Sequence, residues 1–186
     1  MANKENQRIA LTKKLLQEGL LRLLEEKTLD RISVTELCRE SGINRATFYN
    51  HYNSPKDLLL SIEAKVTTDL QKIINNPKHY NDVTAQVEAV CNYFYENART
   101  ALILNKCHAD EDINKTLYEL NRNFQIHRMS SKFTNTLPTE GIHLVSVFFY
   151  TGCFNILLEW LKHDLPLTPK EIAELMIRMA AENFLD

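Results

Sequence analysis

Arg45, Thr47, Tyr49, Asn50 and His51 crowd into seven consecutive positions. A guanidinium can hold O6 and N7 of guanine together, and a carboxamide can do the same for N6 and N7 of adenine. Thr, Tyr and His commonly donate hydrogen bonds to phosphate, and a helix N-terminus favours phosphate as well. Such a mixture of base readers and phosphate binders suits a helix laid in the major groove of DNA. Thr35, at the start of the preceding predicted helix, adds one more hydroxyl. The competing reading is a short helical hairpin that serves only as a packing unit. The polar face of its second helix favours DNA.

Other reactive groups are sparser. Cys107-His108-Ala109-Asp110-Glu111 is the tightest set, and His79, His127, His143 and His163 stand elsewhere in or beside the C-terminal part with Cys91 and Cys153. A thiol beside an imidazole and carboxylates can hold a metal or be activated as a nucleophile. No HExxH or CxxC spacing supports that, so a polar interhelical turn is the preferred reading. No Gly-rich nucleotide cradle occurs either. The expectation is a protein that is not an enzyme and needs no metal or cofactor. Cys38, Cys91, Cys107 and Cys153 lie far apart and read as small buried hydrophobes.

The elements that must position these residues are helical. Ile9, Leu16, Leu20, Leu23 and Leu24 recur at three- and four-residue spacing, predicting an amphipathic helix from Arg8 to Lys27. Ser33-Val34-Thr35-Glu36 has the pattern of a capping box and opens a short helix through Ser41, with Val34, Leu37 and Cys38 facing inward. Gly42 supplies the turn, Ile43 packs inward, and Asn44 caps a second short helix from Arg45 to about Tyr52. Together they form a helix-turn-helix. Ser54-Pro55-Lys56-Asp57 starts a longer helix, which Asn75-Asn76-Pro77 stops. Beyond it, periodic patterns predict helices at Val83–Thr100, Asp112–Phe133, Ile142–Lys162 and Thr168–Phe184, with a short apolar turn at Ala101–Leu104.

The 186 residues carry four Gly and five Pro, too few turn points for many short strands. No apolar run is long enough to span a membrane, and the polar start MANKENQRIALTKK lacks a signal-like core, so a cytoplasmic protein is expected. Residues 1–56 hold ten basic against seven acidic side chains, while the remainder hold twelve against seventeen. A mildly basic head on an acidic body fits contact with DNA at one end.

The run from Ile32 to Leu59 resembles the DNA-binding signature of the TetR family of bacterial transcriptional regulators. The matching residues are Ser33 as cap, Gly42-Ile43-Asn44 at the turn, Thr47-Phe48-Tyr49 with His51-Tyr52, and then Ser54 and Asp57-Leu58-Leu59. The resemblance implies that Ser33 and Thr35 border the phosphates or the groove edge. It also implies that Arg45, Ala46, Thr47 and Asn50 approach bases, that Tyr49 and His51 touch phosphates, and that Phe48 and Tyr52 pack inward. The family often has lysine two residues after the position of Asn53, where this chain has Pro55; Lys56 follows and is the candidate substitute.

The segment Gly152–Met176 is similar to a subgroup of the family in outline. The implied fold is all-α: a three-helix head (1–56) joined by a long helix to a helical regulatory and dimerisation body (57–186). The implied partners are double-stranded DNA with a palindromic operator, a second copy docked through the last two long helices, and a small-molecule effector. The nearly continuous apolar character of Ile142–Leu161 agrees with the second of these. The implied function is a repressor released by the effector through a population shift, with the helix after Pro55 as lever. The alternative is a co-activator controlled by a protein partner. An effector pocket would lie near Ile62, Val66, Phe94, Phe124, His127 and Phe149; the aromatic cluster around them is otherwise plain core.

Overall fold

A computed structural model describes residues 2–79, 82–107 and 137–183. Among these residues every regular element is helical, and they form two compact units. The chain up to Val66, with the end of the sixth helix from Ile103, makes the first; Thr67–Leu102 and the helices after residue 137 make the second.

In the first unit, α1 (Ala2–Glu26) buries Leu16, Leu20, Leu23 and Leu24, four of the five stripe residues. Ile9 is an exception: it is 39% exposed, and the core side of α1 begins only at Leu16. The reason is where α2 (Val34–Ser41) stops. Its last residue, Ser41, lies against Gly19, so the earlier turns of α1 run past the end of their neighbour. Two ion pairs fix this antiparallel register, Arg22 Nε to Glu40 Oε1 at 2.5 Å and Lys27 Nζ to Glu36 Oε1 at 2.6 Å.

Each short helix carries its own start and stop. The Ser33 hydroxyl accepts from the Glu36 amide (3.2 Å), and Gly42 leaves α2 in the left-handed region at φ 68°. The amide of Ile43 then returns to the Cys38 carbonyl (3.0 Å). Asn44 Oδ1 accepts from the Thr47 amide (2.7 Å) and opens α3 (Arg45–Tyr49), which ends sooner than the pattern predicts, with Asn50 as its C-terminal cap. Leu37, Cys38 and Phe48 are buried, whereas Val34 and Ile43, expected inside, are only half-buried.

The long α4 (Pro55–Ile74) begins with Ser54 Oγ accepting from the Asp57 amide (3.1 Å), while Asp57 Oδ2 accepts from the Asn53 amide (2.8 Å). Its Leu58, Leu59 and Ile62 are buried.

In the second unit, α5 (Val83–Glu96) is capped by Asp82 and held to the end of α4, where Gln86 Nε2 donates to the Ile74 carbonyl. The helix predicted through Thr100 breaks at Asn97, whose Nδ2 donates to the Tyr93 carbonyl (2.8 Å). Such side-chain bonding competes with the backbone ladder. A new helix, α6 (Ala98–Cys107), takes in the residues expected to be a turn.

After residue 137 come α7 (Thr139–Lys162) and α8 (Pro169–Asn183). Phe94 on α5 meets Phe154 on α7 edge-to-face at 6.4 Å, and Tyr95 stacks on Trp160 at 5.5 Å. Trp160 Nε1 donates to the Leu167 carbonyl (3.0 Å), which ties the α7–α8 connection down. Thr168 and Glu171 make a reciprocal capping box at the start of α8: the hydroxyl accepts from the Glu171 amide, and the carboxylate accepts from the Thr168 amide. The predicted helix Asp112–Phe133 lies outside the described residues.

Candidate nucleic-acid interface

The helix-turn-helix presents the predicted residues on one continuous stretch of the first unit. Phe48 is fully buried and Tyr52 nearly so, with their rings 6.1 Å apart, and these two anchors hold α3 to the head. What remains outside is polar. Ser33, Thr35, Arg45, Ala46, Asn50 and Lys56 are exposed, Tyr49 is half exposed at 50%, and Thr47 and His51 are half-buried. Tyr49 leans its ring edge-on against Phe48 at 5.4 Å, which aims a hydroxyl-bearing ring outward from a fixed base.

The electrostatics follow from pairing. Both acids of α2 are matched by bases, Glu40 by Arg22 on α1 and Glu36 by Lys27 just past the end of α1. The Lys27 ammonium bonded to Glu36 holds that carboxyl below its ordinary value. Arg45 stays at the surface; its charge partly offsets the burial that raises the Cys38 thiol. Ser33 uses a lone pair on the Glu36 amide, and its own proton is left to donate. Lys56 sits in the first turn of α4, one position beyond Pro55. The result is an exposed row of donors on a rigid, capped pair of helices.

Two interactions in the head escape sequence reading because they are long-range. One is the close approach at Gly19, where an added Cβ would stand 3.0 Å from Ser41 Cβ. The other is Lys106 at the end of α6, whose Nζ donates to the carbonyls of Leu24 (3.2 Å) and Glu25 (3.0 Å) and so caps the last turn of α1.

The remaining candidates divide. Ile62 and Phe94 are buried and Val66 is half-buried, each within its own unit. Phe124 and His127 lie outside the described residues, as does the side chain of Phe149. Of the cysteine set, Cys38 and Cys91 are buried, and Cys107 and Cys153 are half-buried rather than fully inside. Burial raises the Cys107 thiol, the opposite of activation. His108 to Glu111 lie outside the described residues.

An all-helical chain with a capped helix-turn-helix at its head defines a class of regulators, and comparison with known proteins places it within that class. Residues 81–182, more than half of the chain, match the TetR-type family described as the transcriptional regulator C-terminal region. The chain belongs to the TetR family of transcriptional regulators. A stretch of 55 residues is 38% identical to the uncharacterized HTH-type transcriptional regulator YxbF of Bacillus subtilis strain 168. That stretch is 29% of this chain and 14% of YxbF, so the chain matches only a small part of that protein's length.

Among solved structures, a TetR transcriptional regulator from Streptococcus agalactiae 2603V superposes with a TM-score of 0.66 at 18% identity, over 96% of this chain and 98% of its own. The SmeT–triclosan complex gives 0.63 at 10% identity, over 94% and 92%. Both show a shared fold. No helix among the described residues is long and apolar enough to cross a membrane.

Proposed function

We propose that this regulator binds a palindromic operator in double-stranded DNA as a homodimer, acts as a repressor, and is released by a small-molecule effector. The observation that carries the reading is the set of exposed Thr35, Arg45, Tyr49 and Asn50 with half-buried Thr47 and His51, on a helix-turn-helix anchored by buried Phe48 and Tyr52. In this reading residues 1–56 are the DNA-binding domain and residues 57–186 the effector-binding and dimerisation domain. Arg45, Ala46, Thr47 and Asn50 face base edges, while Ser33, Tyr49, His51 and Lys56 hold phosphates. The chain performs no catalysis and needs no metal.

The second copy docks through α7 and α8. Leu144 and Phe148 on α7 are 66% and 70% exposed in the single chain, and Leu175 and Met179 on α8 are exposed as well. Large apolar side chains at helical spacing on two neighbouring helices are what an isologous interface requires. Two copies bring two recognition helices to half-sites separated by about one turn of DNA or a multiple of it. The effector belongs to the helical body in this reading; SmeT, which shares the fold, is solved as a complex with triclosan.

Selection of duplexes from a random library by the full-length chain tests the reading: an enriched palindrome is expected. Recovery of unenriched sequence contradicts it. A stable protein partner that sets activity, with no small molecule raising the melting temperature in a thermal-shift screen, would favour the co-activator alternative.

A further inference from the structure

The helix-turn-helix proper is electrically balanced. Residues 16–56 contain six basic side chains (Arg22, Lys27, Arg31, Arg39, Arg45, Lys56) and six acidic ones (Glu18, Glu25, Glu26, Asp30, Glu36, Glu40). The whole surplus of +3 in the head therefore sits on residues 1–15, where Lys4, Arg8, Lys13 and Lys14 face a single acid, Glu5. Those residues lie in the part of α1 that has no buried side chain from Glu5 to Leu15. Arg8, Lys13 and Lys14 are exposed and form no ion pair among the described residues, in contrast to Arg22 farther along the helix and Lys27 just past its end.

The register of α1 on α2 locates this overhang. Lys27 meets Glu36, Arg22 meets Glu40 and Gly19 meets Ser41, so the two helices are antiparallel and α2 ends beside Gly19. At 1.5 Å per residue, Lys13 stands about 9 Å and Arg8 about 16 Å past that point along the axis. Arg8, Thr12, Gly19 and Arg22 follow one another at helical spacing, so Arg8 continues the side of α1 that faces α2. Past the end of α2 the chain turns at Gly42 and enters α3 at Arg45. The overhang thus runs beyond the same turn from which the recognition helix starts.

We infer that the amino-terminal half of α1 is a second DNA-binding element, in which Arg8, on the side of α1 that faces α2, engages a phosphate flanking the half-site read by α3, and Lys13 and Lys14, on other faces of the overhang, add to the attraction. The inference rests on the proposed DNA-binding role of the head. It divides the labour of the head: the balanced helix-turn-helix reads sequence and holds the nearest phosphates, and the overhang adds the net positive charge. Phosphate contacts release counterions, so each one leaves a signature in the salt dependence of binding, a slope of about 0.9 in log K against log salt.

The test is equilibrium binding of the full-length chain to a duplex it has itself enriched from a random library, and to an unrelated duplex, between 50 and 200 mM salt. For R8A/K13A/K14A the slope should be shallower by about 0.9 for each phosphate no longer engaged, each removing about 3.5-fold from the affinity drop over that range. The preference for the enriched over the unrelated duplex should be unchanged. R8K/K13R/K14R, which keeps the charges, should retain the wild-type slope. A wild-type slope in the alanine variant overturns the inference while leaving the reading of α3 intact. Failure of the wild-type chain to enrich any duplex overturns the reading of the head and the inference with it.

Discussion

At the scale of single residues, the head depends on a few positions whose roles are physically distinct. Phe48 has a fully buried, purely apolar side chain, so Phe48→Ala should cost about 3–5 kcal/mol in chemical denaturation of the head. Gly42 is different: nothing stands within 4 Å of an added Cβ, so only its φ of 68° matters. Gly42→Ala should cost about 1–2 kcal/mol through the left-handed backbone alone, and Gly42→Asn less, which a denaturation series resolves. The buried thiol of Cys91 and the half-buried thiol of Cys153, both in the second unit, should react slowly. Burial pushes Cys91 and Cys153 up to about 12, and the neighbouring Cys153 raises Cys91 further. Thiol labelling of the native chain at pH 8 should leave both largely unmodified and reach them on unfolding.

Capping residues were legible in the sequence at this scale because a cap is a local device. Ser33, Asn44, Ser54 and Thr168 each accept the amide three residues on, as their spacing predicts. The carboxylate of Glu36 was not legible in the same way, since its main partner is Lys27, nine residues back and just past the end of α1.

At the scale of elements, the pairing of α1 with α2 decides where α2, and α3 after it, stand. Gly19→Ala would improve helix propensity by about 1 kcal/mol in isolation. Here the new methyl would meet Ser41 Cβ at 3.0 Å and its Cα at 3.3 Å. The variant should therefore lower the melting temperature, and a rise would show that α1 and α2 separate without cost. Glu36 links the same pair of helices to pH. Its folded-state value is lowered by Lys27, so its contribution is present above the unfolded value and is lost as pH falls through the lowered one. Glu36→Gln should flatten the acid limb of the stability profile.

The break between α5 and α6 and the early end of α3 were not legible, because both fall inside apolar-periodic stretches without Gly or Pro. What ends α5 is one carboxamide bonding back to Tyr93. Ile9 continues the apolar spacing of α1, but α2 has already stopped; periodicity reports a face and not what covers it.

For the whole molecule, the apolar faces of α7 and α8 and the charge of the head make separable predictions. Leu144→Glu with Phe148→Glu should convert the proposed dimer to a monomer in sedimentation equilibrium while leaving the helical content intact, since both side chains are exposed in the single chain. The all-helical class and the family were legible from the run Ile32–Leu59, because that segment combines caps, turn and anchors in fixed order. Membership is shown through the other end of the chain, by the match over residues 81–182. The body was legible only in outline, since its helices are specified by mutual packing and not by local signals.

The central claim, that the exposed face of α3 reads DNA, is tested most directly by the affinity of Arg45→Ala/Tyr49→Ala for a duplex enriched by the wild-type chain. Loss of a bidentate base contact is worth about 1–3 kcal/mol, and the phosphate contact adds to it, so affinity should fall at least tenfold, with reduced preference over unrelated DNA. A folded double variant that binds the enriched duplex with wild-type affinity and preference would contradict the account.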